Sequence, residues 1–295
     1  MGKRIVIQFT QKQNPYSHWE YLNRENGDRL RISPEKGGLI TEWRCEGKEV
    51  LYLDKDRFLK KDKSVRGGIP ILFPICGDLP QNCLLFSEAK HQLKQHGFAR
   101  DMSWEINLLE DKSGVALELL DTQETRASFP YKFKIYMEAR LKKTSLEIDI
   151  NIKNRSDILM PFSFGLHPYF NISDFNNIEI KGLHSKCINQ INMLEETVED
   201  QIQRLDKGVD FLSGPSKSVR IIDSSAERCI ELEQNSPMDL TVVWTDPPRR
   251  MICVEPWTSP RQSLLSGERK IQIGSGSSYA LRTIISCKDL DSNST

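Results

Sequence analysis

Polar and apolar residues alternate with period two along most of this chain. Residues 131–141 read Tyr131-Lys132-Phe133-Lys134-Ile135-Tyr136-Met137-Glu138-Ala139-Arg140-Leu141, and the alternation resumes over residues 146–153 after Lys142-Lys143-Thr144. A period of two turns one face of a strand toward a core, so the two runs predict a β-hairpin. A second hairpin is predicted around Asn26-Gly27, between residues 19–22 and 30–32, because Asn-Gly suits a type I′ turn. Further strands are predicted over residues 39–44, 115–120, 219–222, 228–232, 240–244, 251–255 and 279–286.

Strands divided by turn signals, without repeated strand–helix alternation, imply an all-β fold: a large antiparallel β-sandwich with few short helices. Helical periodicity is confined to two polar stretches, 87–95 and 193–205, expected to be peripheral. No long linker or internal repeat divides the chain. The expectation is one domain over residues 1–288, followed by a small, polar, frayed tail at 289–295.

The 295 residues are 38% hydrophobic and 28% charged, an ordinary globular balance and ample for a core. Lys+Arg and Asp+Glu each number 41, so the formal net charge is zero. That argues against nucleic acid or an anionic membrane as partner, and any anion site must be local. Seven cysteines, an odd number without a CxxC pair, fit free thiols in a reducing compartment. The apolar run after Met1 suits a strand and is too short for a signal segment. Val6 stands where myristoylation expects Ser or Thr, and nothing reaches transmembrane length. A cytoplasmic protein is expected, a monomer or weak dimer, with a small molecule as ligand.

Three blocks offer chemistry. Phe164-Gly165-Leu166-His167-Pro168-Tyr169-Phe170 sets a histidine at a strand end among aromatics, Phe162 included. It is either a packed histidine or a general acid flanked by sugar-stacking rings. Glu255 ends the apolar run from Met251 to Val254, where an acidic residue is expensive unless paired or functional. His96-Gly97-Phe98-Ala99-Arg100 joins a histidine to an arginine, whereas His91 sits in a solvated run. Arg66-Gly67-Gly68-Ile69-Pro70 combines a possible fork for an oxygen-rich ligand with two glycines, which suit a turn or a close backbone approach. Metal binding is weakly supported: His91 with His96, and His184 with Cys187, complete no familiar ligand set.

Taken in order, Arg66-Gly67-Gly68-Ile69-Pro70, His96 through Arg100, Leu166-His167-Pro168-Tyr169-Phe170 and Val254-Glu255-Pro256 resemble the signature blocks of the aldose 1-epimerase (mutarotase) family. The first two are similar to its hexose-6-phosphate mutarotase-like branch. The resemblance implies a galactose mutarotase-like supersandwich that interconverts α and β anomers without a cofactor or metal. It implies Glu255 as general base on the anomeric hydroxyl and His167 as general acid on the ring oxygen, with His96 polarising near that oxygen. It further implies Asp210, in Gly208-Val209-Asp210-Phe211-Leu212, as a hydroxyl ligand, and Arg66 and Arg100 as phosphate ligands. The chain departs from that branch at Trp257, where glycine commonly follows the proline; Trp257 either stacks on a sugar face or belongs to the core. Arg261 is either a further ligand contact or a surface residue, and the surface is expected.

Two other readings compete. One is a non-catalytic carbohydrate-binding or regulatory protein on the same scaffold, since fold does not fix function. The other is a different sugar isomerase or lyase, which would call for a metal or a tyrosine base.

Overall fold

The computed structural model describes residues 7–60, 63–86 and 89–290. Sequence alternation becomes burial in the hairpin of Phe133–Leu141 and Ser145–Asn154. Phe133, Ile135, Met137 and Ala139 point inward, as do Leu146, Ile148, Ile150 and Ile152. The register sets Ile135 opposite Ile152 and Met137 opposite Ile150, so apolar side chains meet across the ladder.

This hairpin lies within an eight-stranded sheet ordered Ile178–Lys181, Ser218–Asp223, Arg228–Gln234, Ser278–Asp289, Ser145–Asn154, Phe133–Leu141, Gly114–Leu120, Glu105–Leu108. A second sheet runs Leu194–Thr197, Lys186–Asn189, Asp210–Ser213, Leu240–Thr245, Met251–Trp257, Gly165–Leu166, Ile71–Leu72; Tyr169–Asn171 also pairs with Met251–Trp257. A five-stranded meander from Ile7–Lys12 to Lys48–Glu49 completes the larger sheets. Pairings between these strands are antiparallel, as the pattern implied, and the fold is all-β. One hydrophobic cluster joins all three, with Trp43, Phe73, Phe133, Ile230 and Val254 among its members. Each fully buried side chain of that size contributes about 1.5–3 kcal/mol.

Of the two predicted helices, the first is largely strand and the second is part strand and part helix. Ala89–Gln92 pairs with Cys83–Phe86 as a ribbon, and residues 87 and 88 lie outside the described residues. Most of that ribbon's outer strand is solvent-exposed, which explains a polar stretch without helical burial. In the second stretch Leu194–Thr197 is an edge strand, and only Val198–Ile202 is α-helical, started by the Thr197 hydroxyl accepting from Asp200 N–H. Glu196 stays out of the helix because Asn189, Asn192 and Arg204 bind its carboxylate. Of the expected tail, Asp289 still pairs in its strand opposite Arg228, and residues 291–295 lie outside the described residues, as do residues 1–6. All seven cysteines are free thiols, five of them buried. No helix of the described residues is long and apolar enough to cross a membrane.

Candidate active site

The strand Met251–Trp257 is buried along its whole length, and Glu255 lies inside it rather than at its end. Glu255 pairs in register with Val242, and the residue is 1% exposed. Its two oxygens have different partners. Oε1 lies 3.3 Å from His167 Nε2, and Oε2 accepts the Trp257 indole N–H at 3.0 Å. The alternation of the strand explains the second contact, because residues 255 and 257 share a face. Trp257 is therefore part of the wall that holds Glu255.

His167 occupies the break between Gly165–Leu166 and Tyr169–Asn171, anchored by its own N–H to Pro70 O at 3.0 Å. Its imidazole stacks on Tyr169 at 4.7 Å and meets the Trp244 edge at 5.9 Å. Phe162, Phe164 and Phe170, expected to flank the histidine as sugar-stacking rings, instead belong to the hydrophobic core.

His96 follows from backbone geometry. Its φ is +65°, its N–H donates to Gly77 O, and the Gly77 N–H donates to its Nδ1 at 3.1 Å. An Nδ1 that accepts leaves the proton on Nε2, so His96 presents an N–H donor to a ligand. Gly97 behind it also has positive φ, and a Cβ there would lie 2.1 Å from Phe73 O. Gly68 plays the matching part for Arg66: its Cβ would lie 2.4 Å from Ile40 O, so the glycine pair serves close backbone approach.

These residues line one cavity of about 230 Å³, together with Arg66, Arg100, Asp210, Gln190 and Arg261. The structure thus brings together His96, His167, Glu255, Arg66, Arg100, Asp210 and Trp257. Arg261 is the exception to expectation: it is not a surface residue. Its Nε donates to Gln190 Oε1 at 2.9 Å, and Nη2 lies 3.9 Å from Asp210 Oδ2 and Nη1 3.5 Å from Asp78 Oδ1. Gln190 in turn donates to Asp210 Oδ1 at 2.8 Å. Neither Gln190 nor Trp244 carried a local sequence signal; sheet pairing brings both to the cavity.

Burial dominates the electrostatics. It pushes the Glu255 carboxyl well above the usual carboxylate range, reinforced by the charge of Asp210 and opposed by the Trp257 N–H. Burial and then Arg100 lower the His167 imidazole to about 3, and burial likewise drives His96 far down. Burial thus opposes charge on both partners of the His167–Glu255 contact. Asp210 is also raised by burial, with Arg261 opposing. Tyr169 is pushed well up by burial, which makes its phenol a poor base. Two of the cavity's acids are thus drawn toward neutrality while three arginines remain, giving a locally positive pocket in a neutral protein. Arg66 lies 3.4 Å from Asp246 and 5.2 Å from the Trp244 ring. Among the described residues Arg100 makes a hydrogen bond to Gln95 O at 2.8 Å and no ion pair. One metal-competent group is present as well: His167, Cys253 and Glu255 each place a ligand atom within 4.8 Å of the others.

The family model for aldose 1-epimerase matches residues 23–286. An Escherichia coli (strain K12) protein named "Putative glucose-6-phosphate 1-epimerase" is 30% identical over 220 residues, covering 72% of this chain and 69% of that one. A protein of the same name from Cenchrus ciliaris is 28% identical over 250 residues, covering 75% and 72%. Among solved structures, the Slr1438 protein from Synechocystis sp. PCC 6803 superposes with a TM-score of 0.89 at 32% identity, covering 97% of this chain and 100% of that one. A galactose mutarotase-like protein from Clostridium acetobutylicum shares the fold, with a TM-score of 0.81 at 18% identity and coverage of 98% and 100%. By its four ordered blocks, its all-β architecture and the match along most of its length, this chain belongs to the aldose 1-epimerase family.

Proposed function

We propose that this chain interconverts the α and β anomers of a hexose 6-phosphate by general acid–base ring opening. The observation that carries the reading is the His167–Glu255 contact of 3.3 Å in a cavity that also holds Arg66 and Arg100. Ring opening removes the O1 proton and protonates the ring oxygen. In its charge-separated form the pair supplies both functions: the Glu255 carboxylate takes the O1 proton and the His167 imidazolium protonates the ring oxygen. The pair then stands neutral, the arrangement that burial favours, and the buried charges have discharged as the ring opened. Rotation about C1–C2 and the reverse transfers close the other anomer. One shared proton suffices, and each positioned group contributes about 10²–10⁴-fold.

The other residues bind and orient. His96 offers its Nε2–H beside the ring oxygen, Asp210 accepts sugar hydroxyls, and Trp257 holds the base. Arg100, half-buried without a carboxylate partner, and Arg66 favour an anionic group, and a phosphate suits the arginine fork. The names of the E. coli and Cenchrus ciliaris relatives agree with this choice.

Anomer-exchange NMR on glucose, galactose and glucose 6-phosphate, with and without the protein, tests the proposal. Faster exchange of the phosphate is expected. Acceleration confined to free sugars would transfer the assignment to an aldose 1-epimerase without phosphate recognition. Acceleration of none would favour a carbohydrate-binding protein.

A further inference from the structure

Cys253 has no part in the anomeric chemistry, yet it sits beside the proton-bearing pair. It lies two residues before Glu255 on the same face of Met251–Trp257, and it pairs in register with Tyr169, whose ring stacks on His167. The thiol is fully buried. One donor atom each from His167, Cys253 and Glu255 falls within 4.8 Å of the other two. His167 Nε2 and Glu255 Oε1 are 3.3 Å apart. Two nitrogen or oxygen ligands on a tetrahedral zinc, each at about 2.0–2.1 Å, stand roughly 3.3 Å from one another, so this edge of a coordination tetrahedron is already formed. A shift of about an ångström in the thiol closes the remaining edges, given Zn–S of about 2.3 Å. The fourth position faces the cavity, which His167 and Glu255 both line.

We propose that His167, Cys253 and Glu255 form an inhibitory site for a thiophilic divalent cation of the zinc class, which shuts off acid–base chemistry by occupying the atoms that move the proton. The step balances as a displacement: zinc enters, the protons that the ligand groups hold leave to solvent, and no electrons transfer. Magnesium, which prefers oxygen ligands in an octahedron, does not compete. The site shares the His167–Glu255 pair with the proposed reaction, but the cation is read out without any sugar.

The test is cobalt(II) titration of the purified protein, followed in the near-ultraviolet for thiolate-to-cobalt charge transfer, beside zinc inhibition of anomer exchange. The expected results are a charge-transfer band displaced by zinc, inhibition by zinc, and no effect of magnesium. Cys253→Ser and Cys253→Ala are expected to keep anomer exchange, lose the band, and need more than roughly tenfold higher zinc for inhibition. A band that survives in both variants, zinc inhibition equal in variant and native protein, or no band in the native protein would each overturn the site. Absent anomer exchange with an intact Cys253-dependent band would refute the proposed function and leave the metal site standing.

Discussion

The Trp257 indole N–H and the His167 imidazole bind opposite oxygens of the same Glu255 carboxyl, at 3.0 and 3.3 Å. This fixes the carboxyl plane without a cation, so the base is oriented while its pKa stays high. An arginine in place of Trp257 would orient it equally well and would lock it ionised. Trp257, the residue that departs from the phosphate branch, therefore has a physical role in orienting the Glu255 carboxyl.

Glu255→Gln preserves the shape and the acceptor for Trp257 but removes the base. Expected is a fall in kcat for glucose 6-phosphate of about 10²–10⁴-fold with KM changed little. Line-shape or exchange NMR at saturating substrate measures both. A variant that keeps native kcat would take the base role away from Glu255.

The phosphate reading predicts a split between substrates. Loss of a charge-assisted hydrogen bond costs about 1.5–3 kcal/mol, so Arg100→Ala should raise KM for glucose 6-phosphate by roughly 10–150-fold. Free glucose, which has no charge to meet Arg100, should change little. Equal effects on the two substrates would count against a phosphate site at Arg66 and Arg100.

Much of this was legible in the sequence, and the gaps have physical causes. Period-two alternation located the hairpin of residues 133–154 because one face of each strand is buried and the other wet. The stretch 87–95 and the part 194–197 of 193–205 misled because edge strands bury little, so their polar residues carry no strand period, whereas 198–202 is helical as predicted. His167 and Glu255 stood out because titratable residues among apolar neighbours are costly, and His96 because Gly97 and Arg100 accompany it. Arg261 did not: its neighbourhood is polar in sequence, and its partners Gln190, Asp210 and Asp78 come from distant strands and loops. Its burial is a product of sheet pairing, which a local pattern cannot carry.

Arg261 should act on both substrates alike. It braces Gln190 and Asp210 rather than pointing to the phosphate arginines. Removing it frees the Asp210 carboxyl to rise further, since Arg261 is the charge that opposes burial there. Arg261→Ala is therefore expected to raise KM about tenfold for glucose 6-phosphate and free glucose together, in line with the loss of one charge-assisted contact. An increase confined to the phosphate substrate would reassign Arg261 to the anion site.

The same groups set a pH dependence of stability. His167 falls from 6.5 to about 3 on folding, so the unfolded chain takes up its proton first as the solution is acidified. Stability from His167 is thus present above pH 6.5 and is lost between 6.5 and 3. Glu255 has the opposite sign: its folded value lies above 4.5, the unfolded chain ionises first, and stability falls as pH rises beyond 4.5. Glu255→Gln removes the second arm alone. Thermal unfolding from about pH 5 to 8 should then show the variant gaining on the native protein with rising pH, at up to about 1.4 kcal/mol per pH unit until the raised pKa is passed. A difference in Tm that stays constant across that range would mean that Glu255 is ionised in the folded protein, and the neutral pair would have to be abandoned.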